Sequence, residues 1–253
     1  MSQTKAQLLN PLSGVVSSGD IKANSVNIGK GANSVAGNTV LGENALDSGS
    51  LSGESNTAIG RLTLTVNTTG ASNVAIGDLA LDANTTGSDN TAVGRGALGS
   101  ATTASNNTAV GRKALLLNTT GTKNTAVGAN ALDNNTTASN NTAVGQAALG
   151  ANTTGAQNVA VGALALDANT TASFHTAVGY LALSANTTGS DNLAIGAYSL
   201  DANTTGSTNV AVGGSALGSN TTASNNTAVG NNSMAANTTG TFNTAVGSAA
   251  LDA

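Results

Sequence analysis

Residues 56–60 read Asn-Thr-Ala-Ile-Gly, a polar–small–apolar phrase that sets the rhythm of almost everything after it. The phrase Asn-x-Ala-(Val/Ile)-Gly closes at Gly60 and recurs with its glycine at 77, 94, 111, 128, 145, 162, 179, 196, 213, 230 and 247. That is eleven intervals of 17 residues without a slip. Looser versions close earlier, at Gly29 (Ser-Val-Asn-Ile-Gly) and Gly42 (Asn-Thr-Val-Leu-Gly). Alternation inside the phrase puts its second and fourth residues on one face and the Ala on the other, the period of a β-strand. Counting from each glycine, the fourth position is Leu in eleven of twelve repeats, with Met234 in the other, and the third is Ala in nine. This segment predicts a second short strand. Between the two lies x-Asn-Thr-Thr-Gly-x-x, a turn cluster.

Two short strands and two turns per 17 residues predict one coil of a flattened β-solenoid. The fold class is therefore all-β, with about 14 coils stacked at roughly 4.8 Å into a rod about 65 Å long. A helical solenoid does not fit, because Gly, Asn and Thr interrupt every candidate helix. Each coil is expected to bury one Leu, one Val or Ile, two Ala and some Thr methyls. So thin a core is expected to be covered by identical chains, giving a homo-oligomer, as a trimer.

Stacking converts every repeat position into a column. Position thirteen is Asn in ten of eleven complete repeats: Asn73, Asn90, Asn107, Asn124, Asn141, Asn158, Asn192, Asn209, Asn226 and Asn243. Such a column can pass amide hydrogen bonds from coil to coil. The exception is His175, the one histidine, which follows Phe174 where sibling repeats read Asn-Asn. Asp occupies position five at Asp47, Asp82, Asp133, Asp167, Asp201 and Asp252, and never in adjacent coils. Stacked carboxylates would repel, so the skipping itself argues for a stack. Position ten is Gly in seven repeats and Ala in four (Ala104, Ala138, Ala172, Ala223). A left-handed residue is expected at ten in the Gly type and at twelve in the Ala type. Phe174 would then be strained by roughly 1–2 kcal/mol, and its turn is expected to differ from its siblings.

Composition narrows the function. The 253 residues contain 8% charged and 2% aromatic side chains, no Cys and no Trp. The net charge of −4 gives no basic surface for nucleic acid. All eight Lys and Arg lie at or before Lys123, and the chain beyond carries five Asp and no base. No stretch approaches the roughly 20 apolar residues of a membrane span, and the opening residues show no secretory signal pattern. With one His, no Cys and no carboxylate pairs recurring at a fixed spacing, no catalytic constellation is expected, nor any cofactor or metal site. The Asn-Thr-Thr triplets match the N-glycosylation acceptor pattern but are better explained as turn chemistry.

The phrases Ser-Val-Asn-Ile-Gly, Asn-Val-Ala-Ile-Gly and Asn-Thr-Ala-Val-Gly resemble the head repeats of trimeric autotransporter adhesins. The 17-residue form Asn-Thr-Ala-Val-Gly-x-x-Ala-Leu-x-x-Asn-Thr-Thr-Gly is more similar to repeats of phage tail-fibre proteins. The opening Met-Ser-Gln-Thr-Lys-Ala-Gln-Leu-Leu-Asn-Pro-Leu-Ser-Gly resembles the start of tail fibres of marine phages. The resemblance covers about residues 25–253 and implies a left-handed parallel β-roll, trimeric, in a fibre on the virion. It implies attachment through residues 1–24, irregular short-repeat coils over 25–59 and a regular shaft over 60–253. The chain departs from both families in showing no stalk, anchor or terminal knob, and an open coil end at Ala253 is expected to meet another fibre protein. The rival functions are an autotransporter-type adhesin head and an ice-binding solenoid. Phe174, His175, Tyr180, Tyr198 and Phe242 break the small-residue pattern and are the candidates for contact with a cell-surface glycan or protein receptor. Packing between chains is the plainer role for them.

Overall fold

The computed structural model describes residues 21–23 and 26–252. The expected attachment segment, 1–24, falls outside them except for 21–23, as do the contacts it would make. One 15-stranded sheet runs the length of the molecule in strict sequence order. The first strands, β1 (Ile21–Ala23), β2 (Val26–Gly29) and β3 (Thr39–Glu43), form an antiparallel meander. From β3 onward every pairing is parallel, through β4 (Thr57–Ile59) to β15 (Thr244–Val246). The registers align like with like: Ala58 pairs with Ala75, Ala75 with Ala92, and so on to Ala245. The molecule is a parallel β-solenoid of about 12 turns at 17-residue spacing.

The count of about 14 coils is corrected by Gly29. Its phrase forms β2, which runs against β3 instead of stacking on it. The 13-residue spacing from Gly29 to Gly42 is too short for a full coil, so the chain doubles back as a hairpin there. Antiparallel strands need only a short connection, whereas parallel ones need a whole turn of chain.

Each coil contains one regular strand, not two. The expected second strand around the Leu is a turn, with positive φ at positions two and four in each regular coil: 59° and 50° at Leu79 and Leu81, 58° and 51° at Asn130 and Leu132. Left-handed Leu is disfavoured by roughly 1–2 kcal/mol. Full burial offsets this, because Leu64, Leu81, Leu98 and their counterparts down to Leu217 have no exposed surface. The turn still bonds along the axis: Leu81 N–H donates to the Ala97 carbonyl and Leu79 N–H to the Arg61 carbonyl. Backbone pairing between coils thus continues around the corner.

The expected interior is also corrected. The Ala of each strand faces inward and is fully buried, while the Val or Ile two positions from the Asn-side residue faces outward and is half-exposed. In each 17-residue coil Ala is the residue buried between the strand and the opposing segment around the Leu. The core is one continuous cluster of Ala and Leu from Val40 to Ala245. Thr methyls are not in it. In their place stand two columns of buried Asn, at positions seven and thirteen.

The left-handed turn residue sits at position twelve in every coil, in both the Gly and the Ala types: Asp89 at 59°, Asn106 at 60° and Lys123 at 58°. Phe174 follows its siblings at 66°, so its backbone does not depart from the repeat as expected. The motif glycines owe their invariance to something else. Gly111 has φ 135°, and a Cβ there would lie 2.5 Å from the Gly128 oxygen and 2.6 Å from its carbonyl carbon. Stacked corners approach too closely for any side chain.

Candidate functional site

The chemistry of the described residues is arranged in columns along the stack. It starts from one buried backbone group. At position ten the carbonyl points into the coil, where water cannot reach it, and a buried acceptor needs a donor. Gly87 O receives two, the Asn73 side-chain amide at 2.9 Å and the Asn84 amide at 3.0 Å. The position-thirteen amide thus reaches forward to the next coil, and the position-seven amide closes its own turn. Each column also bonds along itself. Asn90 N–H and Nδ2 both donate to Asn73 Oδ1, at 3.0 and 3.1 Å, and Asn84 Nδ2 donates to Asn67 Oδ1 at 2.8 Å. The same backbone bond to the preceding Oδ1 continues through Asn107, Asn124, Asn141 and Asn158, and again through Asn209, Asn226 and Asn243.

Sequence reasoning missed the position-seven column, Asn67, Asn84, Asn118, Asn135, Asn152, Asn169, Asn186, Asn203, Asn220 and Asn237. The signal was present: position seven is Asn in ten of eleven repeats, as often as position thirteen. It was hidden inside the Asn-Thr-Thr triplet, which also looks like ordinary turn composition. Burial of these Asn, nearly all with no exposed surface, keeps them from a glycosylating enzyme in the folded state. The first Thr of the triplet forms a third column, its hydroxyl donating to the next coil's Thr carbonyl, as from Thr85 to Thr102 at 3.0 Å.

His175 stands in the position-thirteen column and is 1% exposed. Its N–H donates to Asn158 Oδ1 at 3.0 Å, and its Nδ1 accepts the Asn192 N–H at 3.3 Å. That acceptor role requires a bare Nδ1, and Nε2 lies 3.2 Å from the Asn186 amide nitrogen, a contact whose direction depends on the tautomer. Burial pushes the imidazole pKa down to about 4, against smaller upward effects from backbone hydrogen bonds and the Asp191 charge. His175 therefore does not belong to a surface contact patch. A ring in place of an amide does disturb its neighbourhood: among the described residues, no hydroxyl rung joins Thr170 to Thr187, while rungs from Thr153 and Thr187 persist.

The four aromatic candidates are all on the surface, Phe174 56%, Tyr180 47%, Tyr198 43% and Phe242 79% exposed. Only two are brought together. Tyr180 and Tyr198 meet edge to face with ring centroids 5.4 Å apart, at the corner that follows the strand. Phe174 lies at the other end of its strand, and Phe242 is four coils further along the same column, about 19 Å at strand spacing.

The corner at positions one and two also carries four of the five bases of the shaft, Arg61, Arg95, Arg112 and Lys113. Arg61 pairs with Asp78 at 2.7 Å, and Arg95 approaches the same carboxylate at 3.7 Å. The position-five carboxylates of Asp82, Asp133, Asp167 and Asp201 have raised pKa values, chiefly from partial burial, opposed by their own backbone N–H groups. Among the described residues no helix is long and apolar enough to cross a membrane, and no group of three or more His, Cys, Asp or Glu gathers as metal ligands would.

The fold and its columns define a parallel β-roll repeat protein, an architecture typical of structural proteins. Comparison with protein-family models, with curated proteins and with solved structures gave no match.

Proposed function

We propose that this chain is the shaft of a homotrimeric fibre, carried on a phage virion and serving host attachment. One observation carries the reading: the outer face of the strands from β4 to β15 bears no charge. Its two columns are Thr, Val or Leu at position fourteen and Val or Ile at position sixteen. The face is about 58 Å long and 10 Å wide at standard strand spacings, on the order of 600 Å². Val, Ile or Leu fills sixteen of its 24 positions and Thr the other eight, and an uncharged, regular face of this extent is suited to contact with another macromolecule. Three such faces meeting about an axis would bury the side of the coil that its own thin core cannot. The tail-fibre resemblance supplies the virion setting, with other fibre proteins as partners at the ends and a cell-surface glycan or protein as target. Within this reading Phe174, Tyr180, Tyr198 and Phe242 remain receptor-contact candidates. An autotransporter-type head would use the same interface.

Sedimentation equilibrium tests the assembly. The trimer is expected for the native chain, and Val127→Lys with Val144→Lys is expected to dissociate it by burying charge at the axis. A monodisperse monomer at micromolar concentration contradicts the reading. Ice binding is the second reading, because the outward Thr-x-Val rows are flat and regular. Thermal hysteresis in a monomeric sample would establish it instead.

A further inference from the structure

The coil that begins at Gly94 has two glycines at one corner. Gly96 holds position two, where Leu62, Leu79, Leu164 and Leu181 stand in other coils. Gly99 holds position five, and directly below it Leu116 is the one Leu found at that position in the regular repeats. The two missing side chains leave a notch of about 240 Å³ between the coils above and below. Leu79 and Asp82 form its upper wall, Lys113 and Leu116 its lower wall, and Arg95 stands at its mouth.

We propose that this notch binds a single acidic sugar residue, a carboxylated hexose unit of a surface glycan. Its size comes first: it is smaller than the roughly 300–1,000 Å³ of sites for drug-sized ligands, which suits one ring. A carbon placed at the missing Gly99 Cβ would lie 3.1 Å from Leu116 Cδ1 and 3.4 Å from Asp82 Oδ1. Leu116 therefore already crowds the space over Gly99, and the room for a ring lies over Gly96, where an added carbon meets only Leu116 Cδ1 at 3.6 Å. The C–H face of a sugar matches Leu79 and Leu116, and its hydroxyls can donate to Asp82. Arg95 and Lys113 supply cations for the ring carboxylate, the guanidinium in a two-pronged geometry. Arg61 already holds Asp78 at 2.7 Å, whereas Arg95 stays 3.7 Å from it and largely exposed, so its guanidinium is able to turn to a ligand. Two cations and the Asp82 carboxylate line the notch, with Asp78 beside Arg95 as a second carboxylate. A bare anion would use the cations alone, and a neutral sugar the leucines and Asp82 alone; an acidic sugar uses all of them. The open site implies weak binding, with Kd on the order of 1 mM, which several copies on one fibre would multiply.

This inference takes its biological setting from the attachment reading, and its test is kept separate. Ligand-observed saturation-transfer NMR on the full chain would compare methyl β-D-glucuronide with methyl β-D-glucoside, acetate and glucose 6-sulfate. The glucuronide is expected to bind at least tenfold more tightly than the glucoside or acetate. Gly96→Leu fills the notch with the residue four other coils carry at the same left-handed φ, and a Cβ there meets only Leu116 Cδ1 at 3.6 Å. It is expected to abolish binding while lowering the melting temperature by only about 2–6 °C, the cost of a left-handed Leu in place of Gly, and Arg95→Ala to weaken binding about fivefold or more. Undiminished binding by Gly96→Leu, equal affinity for the neutral glucoside, or no glucuronide signal at millimolar concentration would overturn the proposal. Tighter binding of the sulfate would overturn the carboxylate assignment. None of these results changes the sedimentation mass, so the site and the trimeric shaft fail independently.

Discussion

The position-seven Asn column is broken once, at Ala101, and the break offers a direct measure of what the column contributes. Asn84 Oδ1, which in sibling coils would accept the next Asn amide, is buried without a partner. The Asn118 amide nitrogen, beyond the gap, donates only to its own turn carbonyl, Gly121 O at 2.9 Å. Ala101→Asn should add three bonds: to Asn84 Oδ1, to the Ala104 carbonyl, and from Asn118. The geometry already exists at Asn135, in the same Ala-type turn, where Nδ2 donates to Asn118 Oδ1 at 2.8 Å and to Ala138 O at 3.1 Å. Three bonds at about 0.5–1.5 kcal/mol each, less about 1 kcal/mol for fixing the side chain, leave a gain of about 2 kcal/mol. For a chain of this size that corresponds to a rise in Tm of roughly 4–8 °C. Thermal unfolding followed by circular dichroism at fixed protein concentration measures it. Hydrogen exchange should slow in the coils on both sides of residue 101, since coils stabilise their neighbours. The opposite change, Asn152→Ala, should lower Tm by a comparable or greater amount. An Ala101→Asn protein that melts no higher than the parent would show that the column follows the coil's shape without stabilising it.

Acid should act through His175. Its folded-state pKa of about 4 lies below the ordinary 6.5, so the unfolded chain takes the proton first. The contribution is complete above pH 6.5 and is lost as pH falls from 6.5 towards 4, about 3 kcal/mol in total. His175→Asn should be the more stable protein, with a gap that widens over that interval in urea titrations; a gap independent of pH refutes the assignment. Gly111→Ala combines a positive φ with a clash against the Gly128 backbone and should cost roughly 3 kcal/mol or more. Gly150→Ala, whose added carbon comes no closer than 3.1 Å to another atom and whose siblings already carry side chains, should melt within about 2 °C of the parent.

The sequence by itself determined the period, the class and the direction of stacking. Seventeen residues between glycines leave no other way to bring equivalent residues together, and the spaced Asp residues are legible as a column before any coordinates. The sequence also marked positions twelve and thirteen of the coil at 162 as unusual. It could not decide which side of Asn-Thr-Ala-Val-Gly faces in. Alternation specifies two faces without naming them, and hydrophobicity favoured the Val. The tertiary structure decided for Ala, the residue buried between the strand and the opposing segment around the Leu, and left the Val or Ile half-exposed. The same packing turned the Ala-Leu segment from a strand into a left-handed corner, where Leu81 and Leu132 accept strain in exchange for burial. It also brought the position-ten carbonyl inside, and with it the need for both Asn columns and the burial of His175. A buried carbonyl leaves no mark on its own residue type, and its signature is only the Asn of neighbouring positions. The notch at Gly96 was hidden for a related reason: two glycines in one repeat look like more of the same composition until the coils above and below supply its walls.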